Sequence, residues 1–277
     1  FGAPAPVAAA PAGPVGIDTA TAAEMPALYK ALLAMPQGLL FSNNLIQVYI
    51  QQDYRGSQAR VVIMIKNAPA NPMPLMGLSL GCDIGAIGPA ALRTQMQTVQ
   101  PVLEVGGSVQ VQLMVECMQP FSGNPAIDFK FSSSGTDYAY SIPVPVIMTK
   151  FVEGVPMQGG DFGARWGGMT AEGLEVQGVF NGKDPIDVSA LPVMVGKVTG
   201  LSVVADMLAA NPNVINAAGT LKTGSPAAGG GGNKIQVGCL MMLEMNAAAQ
   251  AYRLTVRTQI PSVSNTFFES VKKLLTE

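Results

Sequence analysis

Leu45-Ile46-Gln47-Val48-Tyr49-Ile50, then Asp53-Tyr54-Arg55-Gly56, then Arg60-Val61-Val62-Ile63-Met64-Ile65: two apolar runs rich in β-branched residues, divided by turn formers, read as strand, turn, strand. The texture continues from Leu39 to about Ile147. Further strand candidates are Leu75–Leu80, Val109–Glu116, Ile127–Ser132 and Tyr138–Ile147. Short strands at this spacing, with turns between them, predict a β-sandwich.

On the N-terminal side, Met25, Leu28, Leu32 and Leu33 fall near helical spacing. Before them, Gly2 to Gly16 is almost wholly Ala, Pro, Gly and Val, a composition that builds no core and reads as the end of a semi-extended linker. A chain that begins at Phe1 with such a tether is expected to be a piece of something longer.

After Lys150 the pattern changes. Asp161–Trp166 and Glu172–Phe180 read as two short helices divided by Gly167-Gly168, with Asp161 and Thr170 as their caps. Val195–Val204, Val214–Lys222, Lys234–Leu243 and Tyr252–Thr258 read as strands, with the loop Gly224–Gly232 between the second and third. Ser262 to Leu275 closes the chain as an amphipathic helix with Val263, Phe267, Val271, Leu274 and Leu275 on one side. The expected organisation is a hinge remnant over residues 1–20, a sandwich lobe over 21–148 and an α+β platform lobe over 149–277, meeting near Thr149 to Phe151.

Composition points to binding rather than chemistry. The 277 residues carry 18 acids, 16 bases and no histidine, a net charge of −2 that shows neither a nucleic-acid footprint nor an acidic tail. Only 12% are charged, against about 25% in soluble domains. Without histidine, serine triads and His-containing zinc sites are excluded. Cys82, Cys117 and Cys239 are widely spaced in apolar runs, which predicts buried, reduced thiols and a cytosolic compartment. No metal, cofactor or catalytic activity is expected, and no apolar run approaches the ~20 residues that span a bilayer.

Several motifs fail on context. Asp161-Phe162-Gly163 spells the metal-binding triplet of kinases, but the phosphate loop and catalytic loop are missing. Gly182-Lys183 and Gly196-Lys197 lack the upstream glycine of a phosphate loop. Asp184 and Asp187 are read as a solvated helix edge rather than an acid–base pair.

Asp161-Phe162-Gly163-Ala164-Arg165-Trp166 resembles the Asp-Phe-Phe-x-Arg-Trp segment of the alpha-adaptin appendage, the C-terminal ear of the large alpha subunit of the endocytic clathrin adaptor. Glu175-Val176-Gln177 follows at the same spacing. Gly238-Cys239-Leu240-Met241-Met242-Leu243-Glu244 and Tyr252-Arg253-Leu254-Thr255-Val256-Arg257-Thr258 resemble two of its strands. Upstream, Leu40 to Gln47 and Val115-Glu116-Cys117 are similar to strands of its sandwich lobe. The resemblance spans about Leu39 to Leu275, in the same order throughout.

The resemblance implies a non-enzymatic hub: an immunoglobulin-like sandwich followed by a platform, both docking short motifs of endocytic accessory proteins. Asp-Pro-Phe, Asp-Pro-Trp and Phe-x-Asp-x-Phe types bind the platform, while the upstream trunk joins the other adaptor subunits. It implies a cytoplasmic protein, peripheral on clathrin-coated pits at the plasma membrane. An appendage of another coat, of the beta-adaptin or coatomer gamma type, is the alternative; the Tyr-Arg-Leu-Thr-x-Arg-Thr strand favours alpha.

Carried over by position, Trp166 with Phe162 forms the aromatic wall, Arg253 and Arg257 the basic side, and Glu175 and Glu244 the acidic rim. A lone tryptophan is more often core, and it is the resemblance that puts Trp166 at the surface. Arg253 and Arg257, four apart in a strand, share a face while Leu254 and Val256 point inward. Two positions depart from the family: Gly163 replaces a second aromatic and Met242 a third arginine. Losing an aromatic contact removes about 0.5–1.5 kcal/mol and a charged hydrogen bond about 1.5–3 kcal/mol. The expected site is therefore less acid-seeking and more apolar. The family's sandwich side site falls on Tyr49, Gln51 and Met64, where the tyrosine would fill the groove and Met64 could still serve as an apolar contact.

Overall fold

Alternation decides the first lobe. In the computed structural model, which describes residues 13–226 and 234–276, the stretch quoted above is a hairpin of β2 (Ile46–Arg55) and β3 (Gln58–Asn67). Val48, Ile50, Val61, Ile63 and Ile65 point into the core, while Tyr49, Gln51, Val62 and Met64 point away. With β1 (Gln37–Ser42), β4 (Leu75–Asp83), β5 (Leu92–Met96), β6 (Val102–Leu103), β7 (Ser108–Cys117), β8 (Ala126–Ser133) and β9 (Thr136–Pro143), it makes two sheets ordered β1-β2-β3-β7-β5 and β6-β4-β8-β9. β5, largely polar, and β6, only two residues long, escaped the sequence pattern.

Helix α1 (Thr19–Ala34) includes the expected helical stretch and begins earlier, because Asp18 accepts a hydrogen bond from Thr21 N at 2.9 Å. Of the expected linker Gly2 to Gly16, residues 2–12 lie outside the described residues, as does most of the Gly224–Gly232 loop; Val15 is not free chain but bridges to Tyr138 of β9.

The platform departs from expectation in two places. Glu172–Phe180, read as a helix, is mostly strand β11 (Glu175–Asn181), whose side chains alternate between exposed and half-buried. Gly178 permits it, since a Cβ there would sit 2.7 Å from Phe268 Cζ of the helix packed beneath. Val195–Val204, read as a strand, is mostly helix α3 (Leu191–Thr199). Leu191, Val195, Val198 and Thr199 bury one helical face, and Gly200, left-handed at φ 70°, ends it with its N–H on Gly196 O. Asp161 and Thr170 are not caps: Asp161 lies inside α2 (Gly159–Gly168), and Thr170 lies in the irregular connection to β11.

β10 (Val152–Gly154), β13 (Val214–Pro226), β14 (Lys234–Asn246), β15 (Ala251–Thr258) and β11 form an antiparallel sheet in the order β10-β13-β14-β15-β11, with β12 (Ser202–Val203) paired to β13. Its inner face carries Ile215, Ala217, Leu221, Cys239, Met241, Leu243, Leu254 and Val256. The closing helix α5 (Pro261–Thr276) covers this face with Val263, Phe267 and Val271. α2 and α4 (Ala205–Ala210) lie on the outer face. Cys117 and Cys239 are buried free thiols and Cys82 is half-buried.

One apolar cluster runs through both lobes. At the joint, a 3₁₀ turn (Met148–Phe151) drives Phe151 between Tyr54 at 5.3 Å and Phe121 at 6.1 Å. Thr149 Oγ1 donates to Val198 O at 3.0 Å. Buried Gln52 donates to the carbonyls of Leu32 and Met35 at the end of α1, and Lys150 Nζ donates to Leu33 O and to Lys197 O. The joint therefore satisfies two helix C-termini with side chains from other elements.

Phe151→Ala should cost about 3–5 kcal/mol and leave one transition, with Trp166 emission (platform) and far-ultraviolet dichroism (both lobes) melting together. Two separated transitions would refute the shared core. Desolvation pulls the Lys150 ammonium from 10.5 down to about 8. Between those values the unfolded chain holds a proton that the folded chain has released, so stability rises with pH across that window. The stability of wild type relative to Lys150→Met, from urea midpoints, should accordingly increase between about pH 7.5 and pH 9.5.

Candidate functional site

The registers of the platform sheet lay its outer face out in rows. Ala218, Leu240, Arg257 and Glu175 form one; Asn216, Met242, Thr255 and Gln177 the next; Val214, Glu244, Arg253 and Val179 the third. The first row is roofed by α2 and α4: Phe162 is 3% exposed, clustered with Val204, Ala218 and Leu240, and flanked by Met157, Trp166, Met169 and Met207.

Helix α2 is a poor helix by composition. Five of its ten residues are glycine, each costing about 1 kcal/mol relative to alanine. Tertiary contacts hold it. Asp206 of α4 accepts from Gly159 N at 2.8 Å, supplying the N-terminal cap that its own sequence lacks. Phe162 and Trp166, four apart and hence on one face, stack at 5.5 Å with 22° between their planes.

At the other end Arg257 makes three contacts at once. Its guanidinium lies over the Trp166 ring at 4.4 Å, its Nη1 donates to Trp166 O at 2.6 Å, and its Nε donates to Glu175 Oε2 at 2.6 Å. The side chain is 17% exposed. One residue thus terminates the helix, positions the indole and ties both to β11.

The sequence-predicted platform residues fall on one face. Trp166 is half-buried, its ring stacked on Phe162 and in contact with the Arg257 guanidinium. Arg253 is paired bidentately with Glu244, which raises its already high pKa. Both arginines are therefore matched by a glutamate, and the face carries no excess positive charge from these four residues. Met242 is half-buried in the middle row. Gly163 is exposed, and a Cβ there would meet nothing within 4 Å.

On the sandwich, Tyr49 and Met64 are cross-strand partners and Gln51 lies two residues along the same outer face. Lys66 Nζ sits 5.3 Å from the Tyr49 ring centroid, and Gln110 pairs with Met64 from β7. Asp187 accepts from the amides of Ser189 and Ala190, shaping the turn before α3, which gives it a structural task apart from Asp184. Among the described residues no three His, Cys, Asp or Glu side chains gather where a metal ion would sit.

Sequence reasoning missed Asn216 and Thr255. Each is 2% exposed, and Asn216 Oδ1 and Thr255 Oγ1 are buried with no hydrogen-bond partner. The period-2 rule that placed Arg253 and Arg257 outward also places Thr255 between them, so one signal was present. Asn216 carried none, because its neighbours are small and apolar.

Removing the Arg257 side chain should release α2 while sparing the core. In Arg257→Ala, amide exchange over residues 159–168 should speed up by about tenfold or more, the loss of a charged hydrogen bond, with the exchange of β13 and β14 little changed. Unaltered exchange in α2 would remove Arg257 from this role.

Comparison with known proteins agrees with this architecture. The family model described as the alpha adaptin AP2, C-terminal domain, matches residues 150–275, which is the platform. The AP-2 complex subunit alpha-2 of Dictyostelium discoideum is 27% identical over 249 residues, covering 90% of this chain and 23% of that protein. The AP-2 complex subunit alpha of Schizosaccharomyces pombe is 25% identical over 255 residues, covering 91% and 27%. The AP-2 complex subunit alpha-1 of Arabidopsis thaliana is 24% identical over 249 residues, covering 89% and 23%. The chain thus spans about a quarter of the length of the curated relatives it matches. Among solved structures, the GAE domain of GGA2p from Saccharomyces cerevisiae aligns with 40% of this chain and 96% of its own, at 10% identity and a TM-score of 0.31. With a sandwich joined to a platform, AP-2 alpha subunits matching along about nine tenths of its length and the alpha adaptin model matching its platform, the chain is similar to the alpha-adaptin appendage.

Proposed function

We propose that this appendage docks short aromatic motifs of endocytic accessory proteins on the outer face of its platform, recruiting them to clathrin-coated pits. It acts by binding and not by catalysis. The rest of the protein would join it to the other adaptor subunits at the cytoplasmic face of the plasma membrane.

The observation that carries this reading is the state of Trp166. Its ring is braced by Phe162 and Arg257 yet left half-open, on a helix whose glycines add no side chains around it. A rigid aromatic surface costs little ordering entropy on binding and supplies large contact area, which is why such residues dominate binding energy. The sandwich face at Tyr49, Gln51 and Met64 is proposed as the lesser site, since Tyr49 occupies the surface with its own ring, packed near Lys66.

Single motifs would bind weakly, because a disordered peptide orders when it docks. Several appendages on one coat then act through effective concentration, which strengthens attachment without any new contact.

Titration of fluorescent peptides carrying one phenylalanine or tryptophan motif tests the assignment. Trp166→Ala should weaken binding by about thirtyfold, corresponding to a hot spot of about 2 kcal/mol, while Tyr49→Ala changes it less than threefold. Equal affinities of wild type and Trp166→Ala would move the site elsewhere.

A further inference from the structure

The middle row of the platform face contains a hydrogen-bonding mismatch. Met242 is flanked on one strand by Asn216 and on the other by Thr255, each its direct cross-strand partner. Asn216 Oδ1 and Thr255 Oγ1 are buried and unpartnered. No other described polar side-chain atom shares that condition. Buried polar atoms are almost always satisfied, and an unsatisfied pair beside a proposed ligand face calls for a cause.

An amide oxygen only accepts, and a hydroxyl can accept too, so one donor-bearing group would serve both. Among the described residues none donates to either atom, Gln177 beside Thr255 included. Arg257 is engaged by Glu175 and Trp166 O, and Arg253 by Glu244. Met242, between the two seats, has no donor but is unbranched and half-exposed, so it can swing aside at little cost. Glu244 lies two residues along the same strand face and adds an acceptor.

We propose that this platform prefers a motif whose aromatic residue is accompanied by arginine or lysine rather than aspartate. The aromatic would lie against Trp166, and the cationic side chain would displace Met242 and donate to Asn216 Oδ1 and Thr255 Oγ1. An aspartate at that point could draw only the Thr255 hydroxyl, would face the acceptor-only Asn216 Oδ1, and would meet two arginines already neutralised, so it is matched less well than a cation that donates to both. This inference rests on the platform as the docking site and specifies the chemistry of what docks there.

Two short peptides that differ only in Arg-Pro-Phe against Asp-Pro-Phe separate the possibilities. Wild type should bind the Arg-Pro-Phe peptide at least about tenfold tighter. Met242→Arg, whose own guanidinium takes both seats, should reverse the order. Thr255→Val, isosteric and without the unpaired hydroxyl, should fold at least as stably as wild type and lose most of the arginine preference. Equal affinity for the two peptides, or a preference for Asp-Pro-Phe, with binding still dependent on Trp166, would overturn the charge preference alone. Binding of neither peptide, or binding indifferent to Trp166→Ala, would overturn the docking site and this inference with it.

Discussion

Arg257 is the contact on which the outer face of the platform depends. It joins β15, β11 and α2 through one planar group: a carboxylate on one edge, a helix-terminal carbonyl on another, an indole against its face. Lysine could not replace it, since only a guanidinium offers several fixed donors and a flat surface together. A ten-residue helix with five glycines has little stability of its own. It stays in place because Arg257 closes one end, Asp206 closes the other and Phe162 anchors the middle.

Rigidity at this surface also depends on the joint beneath. Phe151 is shared between a tyrosine and a phenylalanine of the sandwich, and the polar groups around it are spent on helix ends rather than on water. The platform sheet is consequently backed by a core continuous with that of the sandwich. A braced outer face is the condition under which a small peptide can gain from pre-organisation instead of losing its binding energy to reordering.

The electrostatics are internal. Arg253 and Arg257 each face a glutamate across a strand pair, so charges that look like a basic side in the one-dimensional pattern cancel locally. The low overall charge of the chain has its counterpart here, and the remaining polar demand comes from neutral groups, Asn216 and Thr255.

How much of this was legible follows from range. The sandwich hairpin was readable because β-branched alternation is a local signal, and so was the outward aim of Arg253 and Arg257. The Glu172–Phe180 segment was misread because its strand character comes from pairing with β15 and from the clearance that Gly178 gives Phe268, neither visible along the chain. Val195–Val204 was misread because valines favour strands intrinsically, while burial of Leu191, Val195, Val198 and Thr199 on one side favours the helix. By itself, then, the sequence determined the sandwich hairpin, the strands at Val214–Lys222, Lys234–Leu243 and Tyr252–Thr258, the closing helix and the exclusion of histidine chemistry. Only the tertiary structure decided which charges were already spent and which buried atoms were left wanting, because hydrogen bonds are counted between strands that meet across dozens of residues.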